Sequence, residues 1–305
     1  MKELCAVADK IGFKFVIFVD AAYVLRLSQL KNRYLQLQKD YNLVTNHIKS
    51  LADKGHDIQL HFHPQWMYST YNESTCDWDL DKKHYKLSDM EQSFAFESFG
   101  AAKRLLDEII GYKTCAFRAG GYCLDSFPEY RRLFKENNII IDSSVARNLY
   151  KDKTAHKFDY RKVPQSTLYK FSNFLTDEEP NGEFIELSIS SVKIGIYYYL
   201  TRVRKQQKKY KPTIVYKDGV SMNSSEKVSF FEKILALLKG KVYLACIDGI
   251  SSTMLPYYFE STKDNIYVLI GHPKNATDES ILYLEKFLNK NAGMICYKTT
   301  KDLLK

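Results

Sequence analysis

No Cys-x-x-Cys spacing occurs among the six cysteines, Cys5, Cys76, Cys115, Cys123, Cys246 and Cys296. A chain of 305 residues can bury a full core without disulfide staples, so reduced thiols in a cytosolic setting fit this usage. The N-terminus lacks the uninterrupted apolar stretch of a secretory signal, because Glu3, Asp9 and Lys10 break up its early apolar residues. Nowhere is there an apolar run long enough to span a bilayer. A Gly-x-Ser-x-Gly elbow, a Gly-rich phosphate loop with its Lys and a dinucleotide fingerprint are all missing, which sets those enzyme classes aside. Acid is missing from one long stretch: Leu187 to Lys217 holds no Asp or Glu but eight basic residues, Lys193, Arg202, Arg204, Lys205, Lys208, Lys209, Lys211 and Lys217. That segment accounts for most of the formal net charge of +9.

What is present is the composition of a folded protein, 45% hydrophobic with 23 Tyr and 18 Phe. The length suits one large domain over 1–305, with a basic insertion at about 190–217. Met1 to Ile11 reads as a helix and Phe13 to Val19 as a buried strand ending at Asp20. Tyr41 to Lys54 reads as a helix closed by Gly55. Residues 66 to 87 read as a long polar and aromatic loop. Ser88 to Glu91 is a capping-box pattern opening a helix that Gly111 closes. Thr114 to Arg118 reads as a strand and Ser126 to Asn137 as a helix. Ile139 to Ile141 forms an apolar strand ending in Asp142, and such runs imply a parallel sheet covered by helices. Further strands are expected at 184–189, 242–247, 266–271 and 294–297, with helices at about 225–238 and 278–291. The alternation argues for an α/β barrel.

The most informative stretch is Gly55-His56-Asp57-Ile58-Gln59-Leu60-His61-Phe62-His63-Pro64-Gln65-Trp66. At period two, Ile58, Leu60 and Phe62 form one face while Asp57, Gln59, His61 and His63 form the other. Two residues along a strand span roughly 6.5 Å, so a divalent ion could sit between the two imidazoles if a carboxylate joined them. A pair of surface histidines is the plainer alternative. Asp20, His61, His63, Arg118, Asp142, Asp248 and His272 all fall at predicted strand C-termini, which in a parallel barrel converge on one mouth. Gly120 and Gly121 follow a strand at once, where paired glycines let a backbone approach a ligand. His272, in Leu269-Ile270-Gly271-His272-Pro273, could protonate a leaving group.

Four stretches, Gly-His-Asp-Ile-Gln-Leu-His-Phe-His-Pro at 55–64, Phe-Arg-Ala-Gly-Gly-Tyr at 117–122, Ile-Asp-Ser-Ser at 141–144 and Leu-Ile-Gly-His-Pro at 269–273, resemble the polysaccharide deacetylase family, the NodB-homology or carbohydrate esterase family 4 group. The resemblance implies a deformed (β/α) barrel and a metal-dependent hydrolase that removes acetyl groups from N-acetylated sugars. It implies His61 and His63 as ligands of a divalent metal such as zinc. One residue lies between them, where the family usually has three. It further implies Arg118 orienting the base, Tyr122 giving a backbone N–H to the oxyanion, Asp142 in support and His272 as general acid. The family's first motif, a Thr-Phe-Asp-type strand that supplies the base and the metal carboxylate, has no counterpart before the first helix. The segment Lys10 to Asp20 matches the second strand instead, though Asp20 could lie at the mouth as a metal ligand or base. The expectation is either a start codon downstream of the true one or an inactive, truncated relative whose barrel lacks its first strand.

The resulting expectation is a cytoplasmic deacetylase of an acetylated amino sugar, nucleotide- or lipid-linked, in surface-polysaccharide assembly. The alternatives are an inactive or truncated sugar-binding protein and a related amide hydrolase acting on something other than a sugar. Trp66, Gly120 and Gly121 would contact substrate. The basic segment reads either as a solvated insertion or as an amphipathic helix touching an anionic membrane face or the phosphates of a nucleotide- or lipid-linked sugar. Nucleic acid is not expected, because the charge is local and no recognised motif accompanies it.

Overall fold

In a computed structural model the chain is a mixed α/β protein. The structure describes residues 1–81, 83–124, 127–152, 157–216, 238, 240–261 and 265–304. It divides into two compact units. One comprises Lys14–Val145, Leu149–Ser188 and Lys298–Lys305; the other comprises Met1–Phe13, Ala146–Asn148 and Ile189–Tyr297. Among the described residues, no helix is long and apolar enough to cross a membrane.

The larger unit is built on β1 (Val16–Asp20), β2 (Asp57–Phe62), β5 (Ala116–Ala119), β6 (Ile141–Asp142), β9 (Leu168–Phe171) and β10 (Phe184–Leu187). Two small hairpins lie between these strands in sequence, β3 (Thr70–Asn72) with β4 (Asp77–Asp79) and β7 (Tyr150–Lys151) with β8 (Phe158–Asp159). The sheet order is β1-β2-β5-β6-β10-β9, parallel throughout except for the antiparallel β10–β9 pair. Among the described residues this ladder ends at β1 and β9 and does not close on itself.

The helices α1 (Lys2–Ile11), α2 (Ala21–Leu30), α3 (Leu35–Asp53), α4 (Gln92–Ile110) and α5 (Phe127–Glu136) form where their sequences allow. Gly111, at φ 77°, gives α4 the left-handed cap its last carbonyls need. At the other end the predicted capping box is displaced. Ser88 lies in a short 3₁₀ turn, and Glu91 caps α4 by accepting from the Ser93 and Phe94 N–H groups. A carboxylate at that position also complements the helix dipole. The α2 helix packs on α3 and α4, and α4 on β2. Phe62, Phe99, Phe117 and Phe134 are fully buried, with ring centroids 5.3 Å apart for Phe99–Phe117 and 5.4 Å for Phe117–Phe134.

Both faces of β2 are covered. Asp57 and Gln59, on the polar face with His61, are fully buried. Asp57 accepts the Thr300 N–H at 2.9 Å, and the Gln59 amide donates to Asp57 and to Thr300 Oγ1 at 2.7 and 3.0 Å. The Gln59 carbonyl oxygen accepts from the Cys115 and Ala116 N–H groups. Residues near the C-terminus thus satisfy polar groups that a single strand cannot satisfy itself. The predicted loop at 66–87 contains a 3₁₀ turn over Pro64–Tyr68 and the β3–β4 hairpin.

In the smaller unit, β11 (Ser191–Ile194) pairs antiparallel with β12 (Lys241–Leu244). The predicted strand at 266–271 is reduced to a parallel bridge between Cys246 and Ile270, and 294–297 carries no strand. Helix Asp278–Lys290 is capped by Thr277, and Lys10 of α1 forms an ion pair with its Glu285. The helix expected at about 225–238 falls almost wholly outside the described residues, as does Lys217.

Candidate active site

Strand register assembles the site. Asp20 pairs with His61, and His61 with Arg118, so the C-terminal ends of β1, β2 and β5 bring these three residues into one row. His63, just past β2, lies on the same side as His61, as the period-two spacing predicts. Their ring centroids are 4.4 Å apart with planes at 85°.

Each imidazole is held through Nδ1. The His61 ring bonds the Arg118 carbonyl oxygen at 2.6 Å, and His63 bonds Asp20 Oδ2 at 2.9 Å. A carbonyl can only accept, so His61 carries its proton on Nδ1 and leaves Nε2 as a lone-pair nitrogen. Burial, with His63 beside it, pushes the His61 pKa down to about 3, so that ring is neutral at pH 7. Asp20 also accepts the His63 backbone N–H at 3.3 Å and the Trp66 indole N–H at 2.8 Å. Burial acts to raise the Asp20 pKa, but the charge of His63 and its hydrogen bond outweigh it and hold the carboxyl below its ordinary range. Trp66, expected to contact substrate, gives its indole N–H to Asp20, and its ring packs on Tyr23 at 4.6 Å and Trp78 at 5.4 Å.

The two glycines are explained by contact. A Cβ on Gly120 would stand 2.6 Å from His63 Cδ2 and 3.1 Å from the Phe62 carbonyl oxygen. Gly121 has φ 57°, and a Cβ there would meet the Tyr85 hydroxyl at 2.5 Å. Both pack against the site's own side chains. Gly120→Ala is therefore expected to displace the His63 ring. An imidazole NMR signal of His63 left unshifted in a folded variant would remove this explanation.

Arg118 is not bonded to Asp20. Its guanidinium donates to the Ser143 carbonyl at 2.9 Å and the Ser143 hydroxyl at 2.8 Å, and it lies 4.2 Å from the centre of the Phe18 ring. Burial lowers its pKa to about 10, which leaves it cationic at pH 7. Tyr122 adopts φ 66°, and its carbonyl accepts the Tyr160 hydroxyl at 2.6 Å.

Asp142 is fully buried and stands in register with Glu186 on β10, also fully buried. Burial raises the pKa of both carboxyls, Glu186 most; Asp142 opposes ionisation of Glu186 while the Glu186 hydrogen bond favours ionised Asp142, so the pair holds a proton on Glu186. Ser144 donates to Asp142 through its backbone N–H (3.0 Å) and its hydroxyl (2.7 Å), while the Val145 N–H donates to Glu186 at 3.2 Å. Sequence reasoning missed Glu186. The available signal was one acid inside the apolar run Phe184-Ile185-Glu186-Leu187.

His272 belongs to the smaller unit and is half exposed. Its Nδ1 bonds Asp248 Oδ2 at 2.7 Å, and its backbone N–H donates to Asp248 Oδ1 at 2.6 Å. Asn275 donates to the same carboxylate at 3.1 Å. Burial raises the Asp248 pKa, but the His272 bond and charge overcome this and bring it below the usual range.

Among the described residues, no three His, Cys, Asp or Glu side chains converge as a metal would require. His61 and His63 offer two Nε2 atoms, but Asp20 already uses its oxygens to accept from His63 and Trp66. Two side-chain nitrogens fall short of the three protein ligands of a catalytic zinc site.

No family model and no curated protein matches the sequence. Among solved structures, a protein from Mycobacterium smegmatis classed as a polysaccharide deacetylase is similar with a TM-score of 0.47 and 13% identity, over 96% of this chain and 70% of that one. A GH57 branching enzyme from Thermococcus kodakaraensis, in complex with glucose, is similar with a TM-score of 0.46 and 9% identity, over 99% of this chain and 64% of that one.

Proposed function

We propose that this chain is a hydrolase that removes acetyl groups from an acetylated amino sugar. The observation that carries the reading is the Asp20–His63 pair beside a neutral His61, set against the Gly120–Gly121 turn. The motif resemblance described for the sequence supports the choice of an N-acetyl substrate.

His63, oriented through Nδ1 by Asp20, presents Nε2 as the base that takes a proton from the attacking water, and Asp20 stabilises the imidazolium that forms. His61, fixed in one tautomer, offers a second acceptor nitrogen to that water. Backbone N–H groups of the turn through Tyr122 are the candidate donors to the tetrahedral oxyanion. Arg118, locked by Ser143, contributes a fixed positive charge. As the C–N bond breaks, the His63 imidazolium returns its proton to the departing amine. His61 and His63 would be the side chains to hold a divalent ion such as zinc, which would supply Lewis-acid chemistry, but the described residues offer no third protein ligand, so every step above uses only the chain's own groups.

That same shortfall favours a second reading, a sugar-binding protein without turnover. Acetate release from N-acetylated amino sugars, free, nucleotide-linked and lipid-linked, with and without added zinc or cobalt, separates the two. Release that depends on His63 supports the hydrolase. Saturable sugar binding with no acetate under any of these conditions would leave the binding protein instead.

A further inference from the structure

The smaller unit carries a second surface with a chemistry of its own. Residues 196–209 form a continuous helical segment with a π turn over Tyr199–Val203. Its inner side is anchored. Val203 is buried, the Tyr198 ring lies 4.0 Å from Tyr257, and just beyond the segment the Tyr210 hydroxyl bonds Thr277 Oγ1 at 2.5 Å.

The outer side is left to solvent. Tyr197 is 80% exposed and Leu200 45%, and Arg204 and Lys208 follow at helical spacing on the same face, flanked by Lys205 and Lys209. Among the described residues, none of these four cations is paired with a carboxylate, and no acid occurs anywhere from Leu187 to Lys217. A solvated helix usually intersperses charges of both signs. Here one end is apolar and aromatic, and the other is cationic.

We infer that this face docks on an anionic lipid surface, with Tyr197 and Leu200 entering the headgroup region and Arg204, Lys205, Lys208 and Lys209 meeting lipid phosphates. Charge complementarity selects an anionic surface, because unpaired cations beside a polyanion release counterions and gain attraction. The exposed Tyr and Leu select lipid over nucleic acid, because they give the helix an apolar edge that a bilayer interface can bury. The inference stands apart from the hydrolytic reading and survives its failure.

The test is sedimentation of the full chain with phosphatidylcholine vesicles, with and without about a third phosphatidylglycerol, at low and high salt. Binding is expected only with the anionic lipid and is expected to weaken as salt rises. Arg204→Glu with Lys208→Glu should weaken it by about tenfold or more. Tyr197→Ser with Leu200→Ser should also weaken it, while leaving the salt dependence in place. All four positions are exposed, so the Tm should hold. Equal binding to neutral and anionic vesicles, no binding to either, or retention on heparin or nucleic acid without vesicle binding would each overturn the inference.

Discussion

His63→Ala is expected to lower the acetate-releasing rate by about 10³-fold, within the range that loss of a general base produces. The ring is partly exposed and lies beyond the end of β2, so the stability change should be small beside the rate change. Asp20→Asn tests the same pair from the other side. Asp20 accepts three hydrogen bonds, two from His63 and one from Trp66, and an amide in its place turns an NH₂ toward one of those donors. The expected loss is about 10²-fold or more, with the His63 ring misoriented. Asp20 also shapes stability on the acid side. Its folded pKa is lowered, so its contribution is present above the ordinary carboxyl range and is lost as pH falls through the folded value. Asp20→Asn should flatten that acid limb. If both variants turn over acetylated sugar at the parent rate, the pair is structural and the hydrolytic reading fails.

Glu186→Ala is expected to be among the most damaging substitutions in the larger unit, at about 2–4 kcal/mol. It opens a cavity in the sheet layer and strips the buried Val145 N–H of its acceptor. Glu186→Gln should behave differently, because it keeps the acceptor and supplies an N–H toward Asp142 in place of the shared proton. The pH dependence follows from the direction of the shift. A carboxyl with a raised folded pKa stabilises the fold below its unfolded pKa, and that contribution is lost as pH rises through the folded value. The parent protein should therefore weaken as pH climbs above the usual carboxyl range, and Glu186→Gln should weaken less. Denaturant titrations of the three proteins across pH decide this. Equal losses for Ala and Gln, or a parent profile unchanged by the Gln substitution, would remove the shared proton.

The row of polar residues at strand ends was legible because parallel β-strands with apolar bodies are readable by period and by their terminators. Asp20, His61, Arg118 and Asp142 all fall where such strands stop. The adjacency of His61 and His63 was equally legible, since a two-residue separation along extended chain leaves the side chains on one side. Other assignments were not. The full burial of Asp57 and Gln59 depends on Thr300, more than two hundred positions away, which bonds them. The sequence around Asp20 offers a metal carboxylate as readily as an imidazole partner, and only the placement of the Trp66 indole and the His63 ring decides which donors it serves.

The chain's own order of residues determined the α/β character, the strand bearing the histidines, the glycine turn and the acid-free basic segment, because each depends on neighbours within a few positions. Tertiary structure alone decided the pairing of Asp142 with Glu186, the locking of Arg118 by Ser143, the seat of Gly120 beneath His63 and the outward face of residues 196–209. Those depend on strand register and on which side of a helix meets a neighbour, and neither is fixed until distant segments pack together.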